Sequence, residues 1–196
     1  MNLPNKLTIA RMIMTPIFLA TLIIDFKYHL FVALAVFGIA SFTDMLDGNI
    51  ARKQGIVTDF GKFLDPIADK ILTTSAFVGF LALGGPGLRY GYGMVWILFI
   101  ILTREFAVAS IRMIAAGKGK VVAADKYGKI KTVLQMFAVV AVLFVEGLIA
   151  AFALPESVVD ILVIAYNVIL WASTVLTVIS GINYLSKNRE FIDHRK

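Results

Sequence analysis

Six apolar runs, each close to the ~20 residues that a helix needs to cross a bilayer, leave this chain little choice of fold. They cover roughly 7–25, 28 into the forties, 60–83, 93–116, 126–151 and 158–185. In hydrocarbon every backbone polar group must be satisfied within the segment, so such runs become helices. The chain is 59% hydrophobic and 16% charged, where soluble domains carry about 45–50% and about 25%. The expected fold is all-α: a polytopic membrane protein with six transmembrane helices, forming a single domain over residues 1–196. The apolar part of the first run, 13–24, is short for a full span. Its basic start, with Lys6 and Arg11, is therefore expected to form an interfacial N-terminal segment that enters the membrane at an angle. No small-residue cleavage site follows that run, so it reads as an uncleaved helix. Gly84-Gly85-Pro86-Gly87 closes the third run as a helix breaker.

The basic residues orient the set. Of nineteen Lys and Arg, only Lys27 and Arg89 fall in the connections after runs one and three, and the connection after run five has none. Apart from Lys70 and Arg104, which lie within runs three and four, the others lie at the N-terminus, in or near 52–62 and 112–131, or in the tail from Lys187. By the positive-inside rule both termini and the two basic connections face the cytoplasm. The net charge of +6 fits loops that meet anionic lipid. No nucleic-acid-reading motif accompanies it, so nucleic acid is not an expected partner. With no cysteine in the chain, disulfides, thiol nucleophiles and thiolate metal sites are excluded.

Four aspartates sit in or beside these apolar helices, where a charge is costly unless it binds something. Asp44 and Asp47 are three apart, and Gly48 and Ala51 continue the same helical face, with Arg52 at its edge. Gly61, Asp65 and Asp69 share a face of the next helix. If the turn between the two helices centres near Ile56, Asp47 and Asp65 lie equally far from it, and Asp44 and Asp69 nearly so. At about 1.5 Å per residue, an antiparallel hairpin then brings four carboxylates together at matching depth near the cytoplasmic face. Protons or cations must neutralise them. Oxygen ligands without Cys or His suit Mg²⁺ or Mn²⁺ better than zinc, and four carboxylates can bridge two ions, a standard arrangement for phosphoryl chemistry. Gly48, Ala51 and Gly61 leave room for a ligand against the backbone, and Arg52 can neutralise phosphate oxygens. Pro66 predicts a kink, or a helix start, near Asp65. The plainer alternative is that the aspartates cap helix ends or pair with Arg52, Lys53, Lys62 and Lys70.

The run Asp44-x2-Asp47-Gly48-x2-Ala51-Arg52-x8-Gly61-x3-Asp65-x3-Asp69 resembles the signature of the CDP-alcohol phosphotransferases, at all eight fixed positions. Three further segments resemble the bacterial phosphatidylglycerophosphate synthase branch of that family, as does Phe63 to Lys70 around Asp65 and Asp69. They are Pro4-Asn5-x2-Thr8-x2-Arg11, Thr103-Arg104-Glu105-Phe106-Ala107-Val108-x3-Arg112, and Gly128-Lys129-Ile130-Lys131-Thr132. The resemblance covers nearly the whole chain. It implies a six-helix enzyme of the bacterial plasma membrane, usually a homodimer, with its active site facing the cytoplasm. Its reaction would pass the phosphatidyl group of CDP-diacylglycerol to sn-glycerol 3-phosphate, releasing CMP, with two Mg²⁺ or Mn²⁺ ions as cofactors. By the same resemblance Asp44, Asp47, Asp65 and Asp69 hold the metals. Asp69 doubles as the catalytic base, and Asp47, Gly48, Ala51, Arg52 and Gly61 contact the CDP moiety.

An acceptor with its own phosphate needs a second anion site, and Arg104, Arg112, Lys129 and Lys131 are the candidates. Arg112 follows Arg104 by eight residues, about 80° around a helix, so both can face one cavity. The alternative is that all four are ordinary positive-inside charges. Glu105 reads as an ion-pair partner of Arg104, or as a group that supports the site from behind, and not as a catalyst; Glu146 reads as an interfacial residue near the outer end of helix five. Asn5, Thr8 and Arg11 either touch the nucleotide or anchor the first helix. Other acceptors remain open within the family: inositol phosphate, serine, or phosphatidylglycerol in a cardiolipin-type synthase. The basic set argues against serine. A divalent-cation transporter would also suit intramembrane aspartates, but these lie near one face and no inverted repeat is visible.

Overall fold

The computed structural model describes residues 3–54, 59–84, 91–120, 122 and 126–191, with side chains at all of these except 3–4, 44–54, 59–63, 65, 66, 69, 91 and 92. The described residues form six long helices: α1 (Leu3–Ile23), α2 (His29–Gln54), α3 (Asp59–Leu83), α4 (Gly91–Gly117), α5 (Lys126–Ala151) and α6 (Glu156–Lys187). A short 3-10 turn, Arg189–Phe191, follows α6. The described residues contain no strand. This is an all-α membrane protein: α1, α4, α5 and α6 each hold a stretch long and apolar enough to cross a bilayer. The apolar stretches described in α2 and α3, His29–Thr43 and Lys70–Leu83, are shorter.

The helix that the Pro66 signal would start near Asp65 begins six residues earlier, and α3 runs unbroken from Asp59 to Leu83. Proline removes one helical hydrogen bond, but ending the helix there would expose several backbone groups where water is scarce. Pro16 is likewise carried inside α1. Directly before it, the Thr15 hydroxyl donates to the Arg11 carbonyl at 3.0 Å, the kind of side-chain bond that settles a proline-bearing membrane helix. Two terminations use glycine at positive φ. Gly84 (φ 54°) ends α3, as the breaker predicts, and Gly119 (φ 71°) ends α4. At the latter, the Lys120 N–H donates to Ala115 O and the Gly119 N–H to Ala116 O, both at 2.9 Å. This is a Schellman-type cap, for which a left-handed residue is needed.

Packing arranges the helices in a closed circuit. α1 lies against α2 and α3, α2 against α5, α5 against α6, α6 against α4, and α4 back against α3, while α3 also touches α5. The two aspartate-bearing helices thus flank α1, and among the described residues they touch each other sparingly. Close seams come from small residues, as expected where lipid offers no hydrophobic drive between helices. A Cβ on Gly79 would meet Leu22 Cδ2 at 2.1 Å, and one on Gly147 would meet the Phe31 ring at 3.3 Å.

The interior has two chemically distinct halves. One is apolar: Phe18 and Leu22 of α1, Leu30 and Phe37 of α2, Phe77 and Phe80 of α3, Ile97 of α4, Val142 of α5 and Leu170 of α6 form one buried cluster. The other is polar: Asn5, Thr8, Arg11 and Thr15 of α1, Lys131 and Gln135 of α5, and Ser173, Thr174, Thr177 and Ser180 of α6 are all buried. It takes in the N-terminal parts of α1 and α5 and the C-terminal part of α6. Arg11 is 1% exposed, so it points into the bundle and does not lie out along an interface. Glu146 is the exception in the apolar half. It is buried at 5% exposure and accepts a 2.6 Å hydrogen bond from the Tyr166 hydroxyl, so the interfacial position expected for it is corrected. An isolated carboxylate in that setting is costly, and a partner makes it tolerable.

Candidate active site

The polar half of the bundle is organised by one carboxylate. Glu105, on α4, meets cations from three helices. Arg104 Nη1 donates to its Oε1 at 3.0 Å. Lys131 Nζ, from α5, donates to the same oxygen. Lys70 Nζ, from α3, pairs with Oε2 at 2.8 Å. Arg104 then reaches α6, where Nη2 donates to Ser180 Oγ at 2.9 Å. Gly181 makes that reach possible: a Cβ there would sit 3.0 Å from Arg104 Cγ. Two more contacts extend the polar seam. Gln135 Nε2 donates to Thr177 Oγ1 at 3.0 Å. One turn beyond Ser180, Tyr184 Oη accepts from Arg112 Nε at 3.3 Å, and the Arg112 guanidinium lies 5.7 Å from that ring's centroid.

Burial makes these contacts count. The Lys131 side chain is 4% exposed, that of Arg104 10% and that of Glu105 17%. Unit charges 4 Å apart interact by about 4 kcal/mol at an effective dielectric constant of 20. Three cations this close therefore repel strongly, and Glu105 offsets only part of that. The cluster carries two positive charges in excess. Arg104 Nε is buried with no hydrogen-bond partner among the described residues. Buried donors that lack a partner cost free energy, and a surplus of positive charge with a spare donor is what an anion satisfies.

The expected acceptor residues divide in the structure. Arg104 and Lys131 enter the cluster. Arg112 and Arg104 both contact α6, at Tyr184 and Ser180, one turn apart on that helix. Lys129 is exposed. It is two residues from Lys131, about 200° around the helix, so it projects from the other side of α5. Lys70, one of the cations weighed as partners for the aspartates, bonds Glu105. Ser180, Gly181, Gln135 and Thr177 were not anticipated. The hydroxyls at 173, 177, 180 and 184 form a polar stripe on an otherwise apolar α6, and that periodicity was the available signal.

The aspartate motif adjoins this cluster through the chain itself. Asp69 directly precedes Lys70 in α3, about 3.8 Å away between Cα atoms. Asp44, Asp47, Gly48, Ala51 and Arg52 belong to the C-terminal half of α2, and Gly61, Asp65 and Asp69 to the first half of α3. Their side chains lie outside the described residues. On α1, the buried Asn5, Thr8 and Arg11 occupy the face that meets α2 and α3.

Comparisons with known proteins show the family. The sequence profile of the CDP-alcohol phosphatidyltransferase family matches residues 1–179. A Bacillus subtilis protein named CDP-diacylglycerol–glycerol-3-phosphate 3-phosphatidyltransferase is 39% identical over 96% of this chain and 96% of its own length. A Rickettsia bellii protein of the same name is 36% identical over 97% of each chain. A third, from Wigglesworthia glossinidia brevipalpis, is 33% identical over 74% of this chain and 79% of its own.

Proposed function

Since this chain belongs to the CDP-alcohol phosphatidyltransferase family, we infer that it transfers the phosphatidyl group of CDP-diacylglycerol to sn-glycerol 3-phosphate, giving phosphatidylglycerophosphate and CMP. Relatives named for that reaction support the reading. The observation in this chain that favours a phosphorylated acceptor is the partly buried cluster of Arg104, Lys131 and Lys70 around Glu105, on and beside an aspartate-bearing helix, and the likeness to those relatives favours glycerol 3-phosphate among such acceptors. A phosphorylated alcohol has the charge that such a cluster lacks.

In this reading the free hydroxyl oxygen of the acceptor attacks the phosphorus that carries diacylglycerol. The bond from that phosphorus to the oxygen of CMP breaks, and the hydroxyl proton passes to the Asp69 carboxylate. Asp47, Gly48, Ala51, Arg52 and Gly61 hold the CDP moiety, with small residues giving clearance and Arg52 meeting phosphate oxygens. Arg104 and Lys131, with Arg112 alongside, bind the acceptor phosphate, and exposed Lys129 draws the anion to that end of the bundle. Asp44, Asp47, Asp65 and Asp69 offer oxygen donors alone, a set that fits Mg²⁺ or Mn²⁺. Two such ions, when bound, supply the positive charge that offsets the diphosphate. The chain's own contribution is mainly positioning and fixed charge, as is usual in phosphoryl transfer.

We place the protein in a bacterial plasma membrane as one domain with six spans, both termini and the active site cytoplasmic, working as a homodimer. The basic connections support the orientation. The test is CMP release by purified protein with CDP-diacylglycerol, Mg²⁺ or Mn²⁺, and one acceptor at a time: glycerol 3-phosphate, inositol phosphate, serine or phosphatidylglycerol. Release with glycerol 3-phosphate alone is the expected result. Release only with another acceptor overturns the assignment while leaving the family reaction intact.

A further inference from the structure

We propose that Glu105 is the positioning residue of the acceptor site: it gathers Lys131, Arg104 and Lys70 so that the acceptor phosphate is held beside Asp69. The proposal rests on the acceptor reading given above.

The geometry is specific. One carboxylate receives cations carried by α3, α4 and α5, and through Arg104 it is linked to Ser180 on α6. Four of the six helices are tied at this point. Lys131 and Arg104 each end a flexible stem, and such stems hold one geometry only when a partner fixes them. Glu105 is the shared partner. Both of its oxygens are engaged, which fixes the plane of the carboxylate and hence the directions of the cations around it. A carboxylate placed for proton transfer needs an oxygen facing substrate. Glu105 is committed to cations instead, so its effect is exerted through them.

Charge supports the same assignment. Three cations and one carboxylate leave two positive charges, and a phosphate monoester carries about −1.5 to −2 at pH 7. Donors remain for it: Arg104 Nε is unused among the described residues, and each ammonium has three N–H bonds. Lys70 supplies the link to chemistry, because it is the residue next to Asp69 in α3.

The test is steady-state kinetics of Glu105→Gln and Glu105→Asp in the full-length protein, with the KM of each substrate measured separately. We expect the KM for glycerol 3-phosphate to rise tenfold or more in Glu105→Gln and at least threefold in Glu105→Asp. The KM for CDP-diacylglycerol should stay within twofold. The aspartate variant keeps the charge, but its shorter side chain does not span Lys131 and Lys70 together. It also carries the test if the glutamine variant does not fold. An unchanged or lowered KM for glycerol 3-phosphate in both variants overturns the proposal, since a carboxylate that merely competed with phosphate would behave that way. Equal increases for both substrates also overturn it, because they mark a general structural role. Wild-type protein that releases no CMP with glycerol 3-phosphate overturns the acceptor assignment and this proposal with it. Wild-type turnover with unshifted variants overturns this proposal alone.

Discussion

At the scale of single residues, the proposed function divides the work between two sets of charges. The aspartates of α2 and α3 are assigned to the donor and to proton removal. The cations around Glu105 are assigned to the acceptor. Loss of a general base costs about 10²–10⁴ in rate, so Asp69→Asn should lower kcat by at least a hundredfold in the CMP-release assay. Full turnover would remove Asp69 from that role. The aspartates stand out as candidates in the sequence because a charge in an apolar helix is conspicuous and because their spacing repeats with the helical period. Glu105 was legible as an ion-pair partner of Arg104 or a supporting group, and the ion pair is present. Its contacts to Lys70 and Lys131 join residues that are distant in sequence, and no periodicity encodes which helices pack together. Glu146 was misjudged for the same reason: its partner Tyr166 lies on another helix.

At the scale of elements, helix lengths followed closely from the apolar runs. The fifth helix has the expected bounds, Lys126–Ala151, and α6 extends two residues further at each end than the run suggested. Such agreement is natural in a membrane, where the hydrocarbon thickness sets the length. The order of helices around the bundle was not legible, because it depends on which small residues meet which large ones. Gly79 against Leu22 is the tightest of these seams. Overpacking such a contact costs about 1–3 kcal/mol. Gly79→Ala should therefore lower the Tm of the detergent-purified protein while leaving the KM of both substrates within twofold. An unchanged Tm would mean that α1 and α3 are not held by this contact.

At the scale of the whole molecule, the interior is polar in one half and apolar in the other, and the proposed orientation, drawn from the basic connections, turns the polar half to the cytoplasm. The absence of cysteine makes that orientation directly measurable. With a membrane-impermeant maleimide on intact spheroplasts, Lys27→Cys should label and Lys118→Cys should label only after lysis. The reverse pattern would invert the topology and place the site on the wrong side for a cytoplasmic acceptor. The central claim is that donor and acceptor are bound by separate groups on different helices. It is tested most directly by measuring both KM values in Arg52→Ala and in Lys131→Ala. The account predicts a crossed result: Arg52→Ala raises the KM for CDP-diacylglycerol alone, and Lys131→Ala raises the KM for glycerol 3-phosphate alone. A rise in both constants in either variant, or the opposite crossing, would contradict it.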